Sequence, residues 1–497
     1  MLTKIKQASK DTIIYSLGNI STKIIGLILL PLYTDKLSVG EYGVLGTVEV
    51  TIQLLIAGFS FSLYQALNRW YWDKDYRDKQ QSIFYTVFIT LTMGSVLMLG
   101  ILLPFTNAFS KLLLDDQSYA YVFVLLLVSA ALQIFSRSVL SLMRLQRRPL
   151  LFTTTNILKL LVTLGLTIYF IVGLKKGVEG ILEAQIIGFM FFMAINAKLI
   201  YNNTKPVFER FVMKEMIIFS YPLAISSISG ILLTITDRYA VRYIAGMEAM
   251  GIYSLGFKVA NVLKVFVINS VSAAILPLKF QMMDKPNNRR FYSKIMTYTA
   301  FGFIILLLIL SLFSQEAIKI LAKNPDYWPA YKIVPILCFS QLFFLLQHNA
   351  RFGLIVEKKT KIISLIMISV SILNIGLNVI LVSLFGIMGG AIATLLAQFL
   401  FFIIIYHYAQ KYYPIPYETR KIFLLILVST IVVTMSIFMF NPIALIPRII
   451  IKILVILMFP LILYFIKFYE PVELERIKGA WNKWKNPKNW FKNLKNN

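Results

Sequence analysis

Residues 361–410 read KIISLIMISVSILNIGLNVILVSLFGIMGGAIATLLAQFLFFIIIYHYAQ. Two apolar runs, 361–384 and 387–410, meet at Phe385-Gly386. The hydrocarbon core of a bilayer is about 30 Å thick and takes about 20 helical residues. Each run is long enough to cross it, and the glycine between them marks a turn, so the stretch reads as two successive spans. The same reading carried outward gives fourteen segments: 12–33, 44–66, 82–104, 119–143, 150–173, 178–200, 214–236, 250–278, 292–314, 330–355, 361–384, 387–410, 420–440 and 444–467. The fold this predicts is all-α and integral to the membrane.

Composition agrees. Of 497 residues, 58% are hydrophobic and 15% charged, against about 25% charged in an average soluble chain. A water-soluble enzyme, a disordered chain and a repeat scaffold are excluded. The formal charge of +27 would suit nucleic acid, but the basic residues fall in short clusters between apolar runs, as in membrane-protein loops. No nucleic-acid partner is expected. One cysteine, Cys338, and two histidines, His348 and His407, leave no material for a disulfide, a metal site or a Ser-His-Asp triad. No metal or cofactor is expected, and the short loops hold no extramembrane catalytic domain. The first apolar stretch runs through Leu30 without a small-residue cleavage site, so it reads as a retained span rather than a signal peptide.

Charge sets the orientation. If the N-terminus with Lys4, Lys6 and Lys10 is cytoplasmic, roughly 33 Lys and Arg fall on that side, roughly 9 on the other and roughly 8 inside spans. Both termini are therefore expected in the cytoplasm of a multi-pass protein of the cell's inner (plasma) membrane. The tail 470–497 carries Trp481, Trp484, Trp490 and many lysines, and is expected to lie on anionic membrane lipids as an amphipathic segment.

The halves resemble each other at an offset of roughly 202–211 residues, as parallel repeats of an even span count do. Ile13-Ile14-Tyr15-Ser16 recurs as Ile217-Ile218-Phe219-Ser220, and Thr34-Asp35 as Thr236-Asp237. Glu41-Tyr42-Gly43-Val44 recurs as Ala249-Met250-Gly251-Ile252. Gln146-Arg147-Arg148 matches Glu357-Lys358-Lys359, and Gly177-Val178-Glu179-Gly180 matches Gly386-Ile387-Met388-Gly389. The expected organisation is a lobe of six helices over 1–202, a linker 203–213, a second six-helix lobe over 214–411, two further helices over 412–469, and the basic tail 470–497. A V-shaped cavity is expected between the lobes.

A charge at mid-span costs roughly 2.5–3.5 kcal/mol on insertion scales, so such residues are candidates for function. Ser16, Asn19 and Lys23 share a face of the first span; Gln133, Arg137, Ser141 and Arg144 form a stripe on the fourth; Asn156, Lys159 and Thr163 do so on the fifth. Lys258, Asn261 and Lys264 fall within an arc of about 120° on the eighth. Gln347, His348 and Arg351 cluster on the tenth. The candidate ligands for an anionic substrate are therefore Asn19, Lys23, Arg137, Lys159, Lys258, Lys264 and Arg351; phosphate or diphosphate fits best, since Lys and Arg bind its oxygens by charge-assisted hydrogen bonds. For Arg351 and Lys264 snorkelling to the headgroups is the competing reading. Among the acids, Asp35 and Asp237 sit at corresponding outer span ends, where each is a gate candidate through Lys36 and through Arg238 or Arg242, or an ordinary loop carboxylate. Glu49 and Glu183 lie inside spans and could counter a cavity cation or carry a coupling H⁺ or Na⁺.

These segments resemble the multidrug/oligosaccharidyl-lipid/polysaccharide exporter superfamily, and within it the polysaccharide transporters, the O-antigen and capsule repeat-unit flippases. The resemblance rests on Gly18-Asn19-Ile20-Ser21-Thr22-Lys23-Ile24-Ile25-Gly26 with Pro31-Leu32-Tyr33-Thr34, on Glu41-Tyr42-Gly43, on Gly58-Phe59 through Asn68-Arg69-Trp70-Tyr71, and on Met143-Arg144-Leu145-Gln146-Arg147. It implies a flippase, not an enzyme, that moves an undecaprenyl-diphosphate-linked oligosaccharide by alternating access. Membrane potential, Na⁺ or H⁺ would drive it, without ATP. Lys23 stands where the related lipid II flippase has an arginine in its diphosphate cavity, so the resemblance makes Lys23 a headgroup ligand. It also implies a lipid-tail groove at the last two spans. A monomer is the default. The competing readings are a multidrug or cation exporter of the same superfamily, which would favour acidic walls, and a membrane glycan polymerase or ligase, which would need a longer outer loop than 315–329. A lipid scramblase or channel is a further alternative.

Overall fold

The computed structural model describes residues 26–283, 285–439 and 444–484. Among them every regular element is helical. The α-helices run, in chain order, α1 (Leu30–Lys36), α2 (Val39–Phe59), α3 (Leu63–Trp70), α4 (Gln80–Leu102), α5 (Thr106–Leu114), α6 (Ala120–Leu145), α7 (Pro149–Ile168), α8 (Gly177–Ile195), α9 (Ala197–Asn202), α10 (Arg210–Ala240), α11 (Met247–Leu263), α12 (Asn269–Gln281), α13 (Asn288–Leu312), α14 (Ser314–Leu321), α15 (Val334–Ala350), α16 (Phe352–Val356), α17 (Thr360–Tyr412), α18 (Thr419–Met439), α19 (Leu445–Phe465) and α20 (Pro471–Trp484). Among the described residues eleven helical stretches are long and apolar enough to cross a membrane, or twelve if the bent pair Pro325–Lys332 and Val334–Val356 is one span. This is a multi-pass membrane protein.

The expected spans are consistent with these helices, with one exception. The runs 361–384 and 387–410 are two helical arms, numbered together as α17, joined by a turn at Gly386 with φ 55° and ψ −132°; a Cβ on Gly389 would strike the Leu381 carbonyl, so the chain folds back there as the sequence predicts. That backbone region is open essentially to glycine alone. Gly386→Ala is expected to cost about 1–3 kcal/mol, read as a lower melting temperature of the purified protein. The exception is the first span, 12–33, which lies largely outside the described residues, as do Asn19 and Lys23 and the tail beyond 484.

The internal duplication has structural counterparts. Gly177 (φ 61°) and Gly386 (φ 55°) are both left-handed, and so are Arg147 (φ 52°) and Lys358 (φ 55°). The latter two close helices identically. The amide of Arg148 donates to the Met143 carbonyl at 2.9 Å and that of Lys359 to the Leu354 carbonyl at 2.8 Å, the six-to-one bond of a left-handed helix end.

The repeated Gly43 and Gly251 each sit where α2 and α11 pack closest. A Cβ on Gly43 would strike the Met247 carbonyl, and one on Gly251 would strike the Val39 carbonyl. Gly46 likewise faces Ser254. Each partner is related to the other by the same offset of 208, so the contact is reciprocal, as at a two-fold axis. Small residues let α2 and α11 approach backbone to backbone, a common device in membranes. Ser38 starts α2 with a capping box: its hydroxyl accepts from the Glu41 amide at 3.2 Å, and Glu41 Oε2 accepts from the Ser38 amide at 2.8 Å.

The last hairpin is fastened at both ends by charge. Lys294 on α13 meets Glu418 at 2.8 Å and Glu470 at 2.5 Å, and Lys421 joins Glu418 at 3.0 Å. At the other end Glu316 on α14 holds Arg448 at 2.9 Å and Lys452 at 2.8 Å, both on α19.

Candidate functional site

Two adjoining cavities lie at the middle of the bundle. The first, of about 470 Å³, is lined by 26–33 ahead of and along α1, Glu49 of α2, Gln133 of α6, Lys159 and Thr163 of α7, Gln185 and Phe189 of α8, and Lys258 and Asn261 of α11. The second, of about 280 Å³, is lined by Glu49 and Gln53 of α2, Thr234 and Arg238 of α10, and Lys258, Asn261, Lys264 and Asn269 along α11 and α12. Glu49, Lys258, Asn261 and Val265 line both, so the two are one space with a shared wall.

Lys258 sits on that wall. Its Nζ lies 2.8 Å from Glu49 Oε1 and 5.0 Å from the Tyr42 ring centroid. Glu49 stands mid-way along its helix, and both it and Lys258 line the two cavities. Helical spacing puts Asn261 and Lys264 on the same side, and a π turn over Lys264–Ile268 interrupts the helix there, a feature frequent at functional sites. Lys264 Nζ is 4.2 Å from the Phe344 ring centroid. Arg238 crosses from α10, its guanidinium 4.1 Å from the Phe257 centroid and 3.7 Å from Asp237. Lys159 Nζ rests 4.7 Å and 5.4 Å from the centroids of Phe189 and Phe192.

The structure thus brings together Lys159, Lys258, Lys264 and Glu49, and adds Arg238, which the sequence reading placed only at a gate. Among the described residues, four cations line the space against the single carboxylate of Glu49. Such a wall favours an anion.

Several expected site residues lie elsewhere. Arg137 is absent from both linings and faces the Tyr64 hydroxyl of α3; one turn along α6 separates it from Gln133, which does line the first cavity. Arg351 ends α15 beside Lys279 and His348, away from the centre. Glu183 pairs with Lys176 at 2.7 Å and accepts from the Tyr121 hydroxyl at 3.2 Å, at the start of α8. It counters no cavity cation. Lys176 titrates above the usual lysine range because Glu183 holds its proton by a hydrogen bond.

The two expected gate acids have different surroundings. Asp35 is partly exposed and pairs with Lys36 at 3.1 Å and Lys323 at 3.7 Å. Asp237 is enclosed at 2% exposure. The Tyr253 and Thr394 hydroxyls donate to it at 2.6 Å and 3.1 Å, and the Arg238 amide at 2.8 Å. Arg242 turns instead to Asp115 at 2.7 Å. Asp237 is therefore a buried polar knot, neither an exposed carboxylate nor a surface gate.

Hydroxyl-to-carbonyl bonds tie the helices together at the Leu37 end. Above the Gly43–Met247 contact, the Tyr327 hydroxyl donates to the Ser38 carbonyl at 2.9 Å and to that of Leu37 at 3.1 Å, and the Thr34 hydroxyl donates to the Leu321 carbonyl at 2.8 Å. At the end where α9 passes to α10, the ties are between side chains. Glu215 accepts from Trp70 Nε1 and the Tyr76 hydroxyl, each at 3.2 Å, and Lys79 meets Glu209 at 2.9 Å.

Residues 8–283, more than half of the chain, match the family model described as polysaccharide biosynthesis protein. The chain belongs to that family. Residues 222–380 also match the MatE family. Among relatives, the capsular polysaccharide biosynthesis protein CapF of Staphylococcus aureus is 30% identical over 224 residues, 44% of this chain and 54% of that protein. An uncharacterized membrane protein of Haemophilus influenzae is 24% identical over 284 residues, 56% of this chain and 66% of its own. The chain spans roughly half to two thirds of the length of the curated relatives it matches. Among solved structures, the lipid II flippase MurJ in an inward closed conformation superposes with a TM-score of 0.72 at 15% identity, covering 92% of this chain and all of that one. An inward-facing multidrug resistance transporter of the MATE family gives 0.65 at 13%, covering 84% and 96%. At these identities the likeness is one of fold, and this member of the polysaccharide biosynthesis family has the fold of that superfamily.

Proposed function

We propose that the protein is a flippase that carries an undecaprenyl-diphosphate-linked oligosaccharide, an O-antigen or capsule repeat unit, from the cytoplasmic to the outer leaflet. The observation that carries this reading is the central space walled by Lys159, Lys258, Lys264 and Arg238, with Glu49 as the one lining carboxylate among the described residues. Mid-membrane cations need a counter-charge, and a diphosphate supplies one. Family membership and the kinship to CapF point to the same class of cargo.

In this reading the protein is a transporter, not an enzyme, a monomer of the inner membrane with both termini in the cytoplasm. The Leu37 end is then the outer end. Its hydroxyl-to-carbonyl ties and the side-chain ties at Glu215 and Glu209 are the two gates that alternating access opens in turn. The driving force is the membrane potential or an H⁺ or Na⁺ gradient. The substrate ligands are Lys159, Lys258 and Lys264, with Arg238; Lys23 joins them by its resemblance to the flippase headgroup ligand.

The MatE match favours a second reading, extrusion of organic cations. The cationic wall opposes it, because a cation in that space meets repulsion of several charges in a low-dielectric surrounding. One assay separates the two. Purified protein in proteoliposomes is expected to move fluorescently tagged undecaprenyl-diphosphate disaccharide between leaflets well above the protein-free rate, and to leave ethidium where it is. Ethidium transport without lipid translocation would overturn the proposal.

A further inference from the structure

We infer that the first lobe carries a separate lipid site at its inner end, where Arg148, Lys198 and Asn196 hold the headgroup of a phosphatidylglycerol from the surrounding bilayer. The inference does not depend on the central space or on what it carries.

Where α7 begins and α8 passes into α9, a cavity of about 280 Å³ is lined by Arg148, Leu151, Ile195, Asn196, Lys198 and Asn202, with two neighbours. It lies at the cytoplasmic end of the bundle in the orientation proposed above. Arg148 and Lys198 are exposed, and among the described residues no carboxylate comes within 4.0 Å of either. The first turn of α7, with Pro149 at its start, adds the positive end of a helix dipole. Two cations on one cavity without an acid between them favour an anion.

Asn196 makes a second demand on the occupant. It lines the same cavity and is 1% exposed. Its Nδ2 donates to the Phe192 carbonyl at 2.8 Å, which fixes the orientation of the amide. Oδ1 is left buried with no donor among the described residues, at a cost in free energy until one arrives. A phosphate oxygen only accepts and cannot serve it; a hydroxyl can. The occupant that meets both demands carries a phosphate and a hydroxyl on one small headgroup.

The surroundings point to a lipid as the source. Leu151 and Ile195 line the cavity beside its polar groups. Leu150, Leu158 and Leu161 of α7 are exposed and fall on one side of the helix by its spacing. That apolar strip runs from the cavity along the span, where acyl chains lie. Basic pockets between helices on the cytoplasmic side take anionic headgroups in this way. A soluble phosphate gains nothing from the strip. Phosphatidylglycerol supplies the charge, the hydroxyls and the chains together.

The test titrates detergent-solubilised full-length protein with single lipids and reads individual bound molecules by native mass spectrometry. The lipids are phosphatidylglycerol, zwitterionic phosphatidylcholine, and phosphatidylmethanol, which has the same charge as phosphatidylglycerol but no hydroxyl. Wild type is expected to hold its first phosphatidylglycerol about thirtyfold tighter than phosphatidylcholine, the worth of two interfacial cations. It should hold it about fivefold tighter than phosphatidylmethanol, the worth of one hydrogen bond. Arg148→Ala with Lys198→Ala, both at exposed positions, is expected to lose the first preference. Asn196→Leu is expected to lose only the second, and the first preference, if kept, shows that this variant is folded. Inorganic phosphate in millimolar excess should leave the lipid bound. Equal affinity for the three lipids in wild type would overturn the inference. An undiminished preference in the double variant would overturn it too, by placing the lipid elsewhere. Displacement by inorganic phosphate would do the same, by making this the site of a soluble anion.

Discussion

Lys258→Met is expected to lower lipid translocation by about a hundredfold or more. Two losses combine. The substitution removes the cation on the wall shared by both cavities, and it strands Glu49, whose carboxylate lies 2.8 Å from Lys258 Nζ. Breaking one partner of a buried pair costs about 3–5 kcal/mol. The two side chains are 24% and 35% exposed, so cavity water screens the pair and the lower end of that range applies. That cost falls on the fold and is read as a lower melting temperature, whereas loss of the charge-assisted contact to the cargo, about 3 kcal/mol, corresponds to the hundredfold fall in translocation. A double variant, Lys258→Met with Glu49→Gln, separates the contributions. It is expected to regain the wild-type melting temperature, because no charge is left unpaired, yet to stay inactive, because the ligand is gone. Wild-type translocation in the single variant would remove Lys258 from the site.

Glu316→Gln is expected to give the largest loss of stability. Arg448 and Lys452 on α19 share that single carboxylate, with side chains 9%, 4% and, for Glu316, 11% exposed. Without it two buried cations face each other with no counter-charge, at a cost of about 3–5 kcal/mol. The detergent-solubilised variant should melt well below wild type and lose the docking of α19 first. Replacing all three residues by Met should restore much of the loss, because an apolar trio of similar volume needs no desolvated charge. An unchanged melting temperature in Glu316→Gln would show that the triad does not fasten the hairpin.

The sequence carried the helices, and the reason is physical. A lipid-facing helix must be apolar over its whole length, so 361–384 and 387–410 announce themselves by composition, and Gly386 announces the break. The repeat was legible for a similar reason: the close approach at Gly43 and Gly251 admits no side chain, so glycine recurs in both halves. The stripe Lys258, Asn261 and Lys264 was legible because helical spacing alone sets the side on which it falls.

What helical spacing does not set is the neighbour. Arg137 shares a face with Gln133, but one turn of α6 is enough to bring it to Tyr64 instead of the cavity. Asp237 and Asp35 occupy matched sequence positions, yet Tyr253 and Thr394 enclose only the first. Nothing local to either residue signals that difference, since Thr394 is 157 residues away. Arg238 was read as a gate residue because it follows Asp237 at a span end; its guanidinium reaches back to the Phe257 ring in the central space, a direction that only the packing of α10 on α11 defines.

The central claim is that the cationic space receives the negatively charged head of a lipid-linked cargo. Electron cryomicroscopy of the protein with undecaprenyl-diphosphate disaccharide tests it most directly. The account predicts diphosphate density within hydrogen-bonding reach of Lys258 and Lys264, with the prenyl chain leading out of the bundle. Density confined to the lipid-facing surface, with the lysines unoccupied, would contradict it.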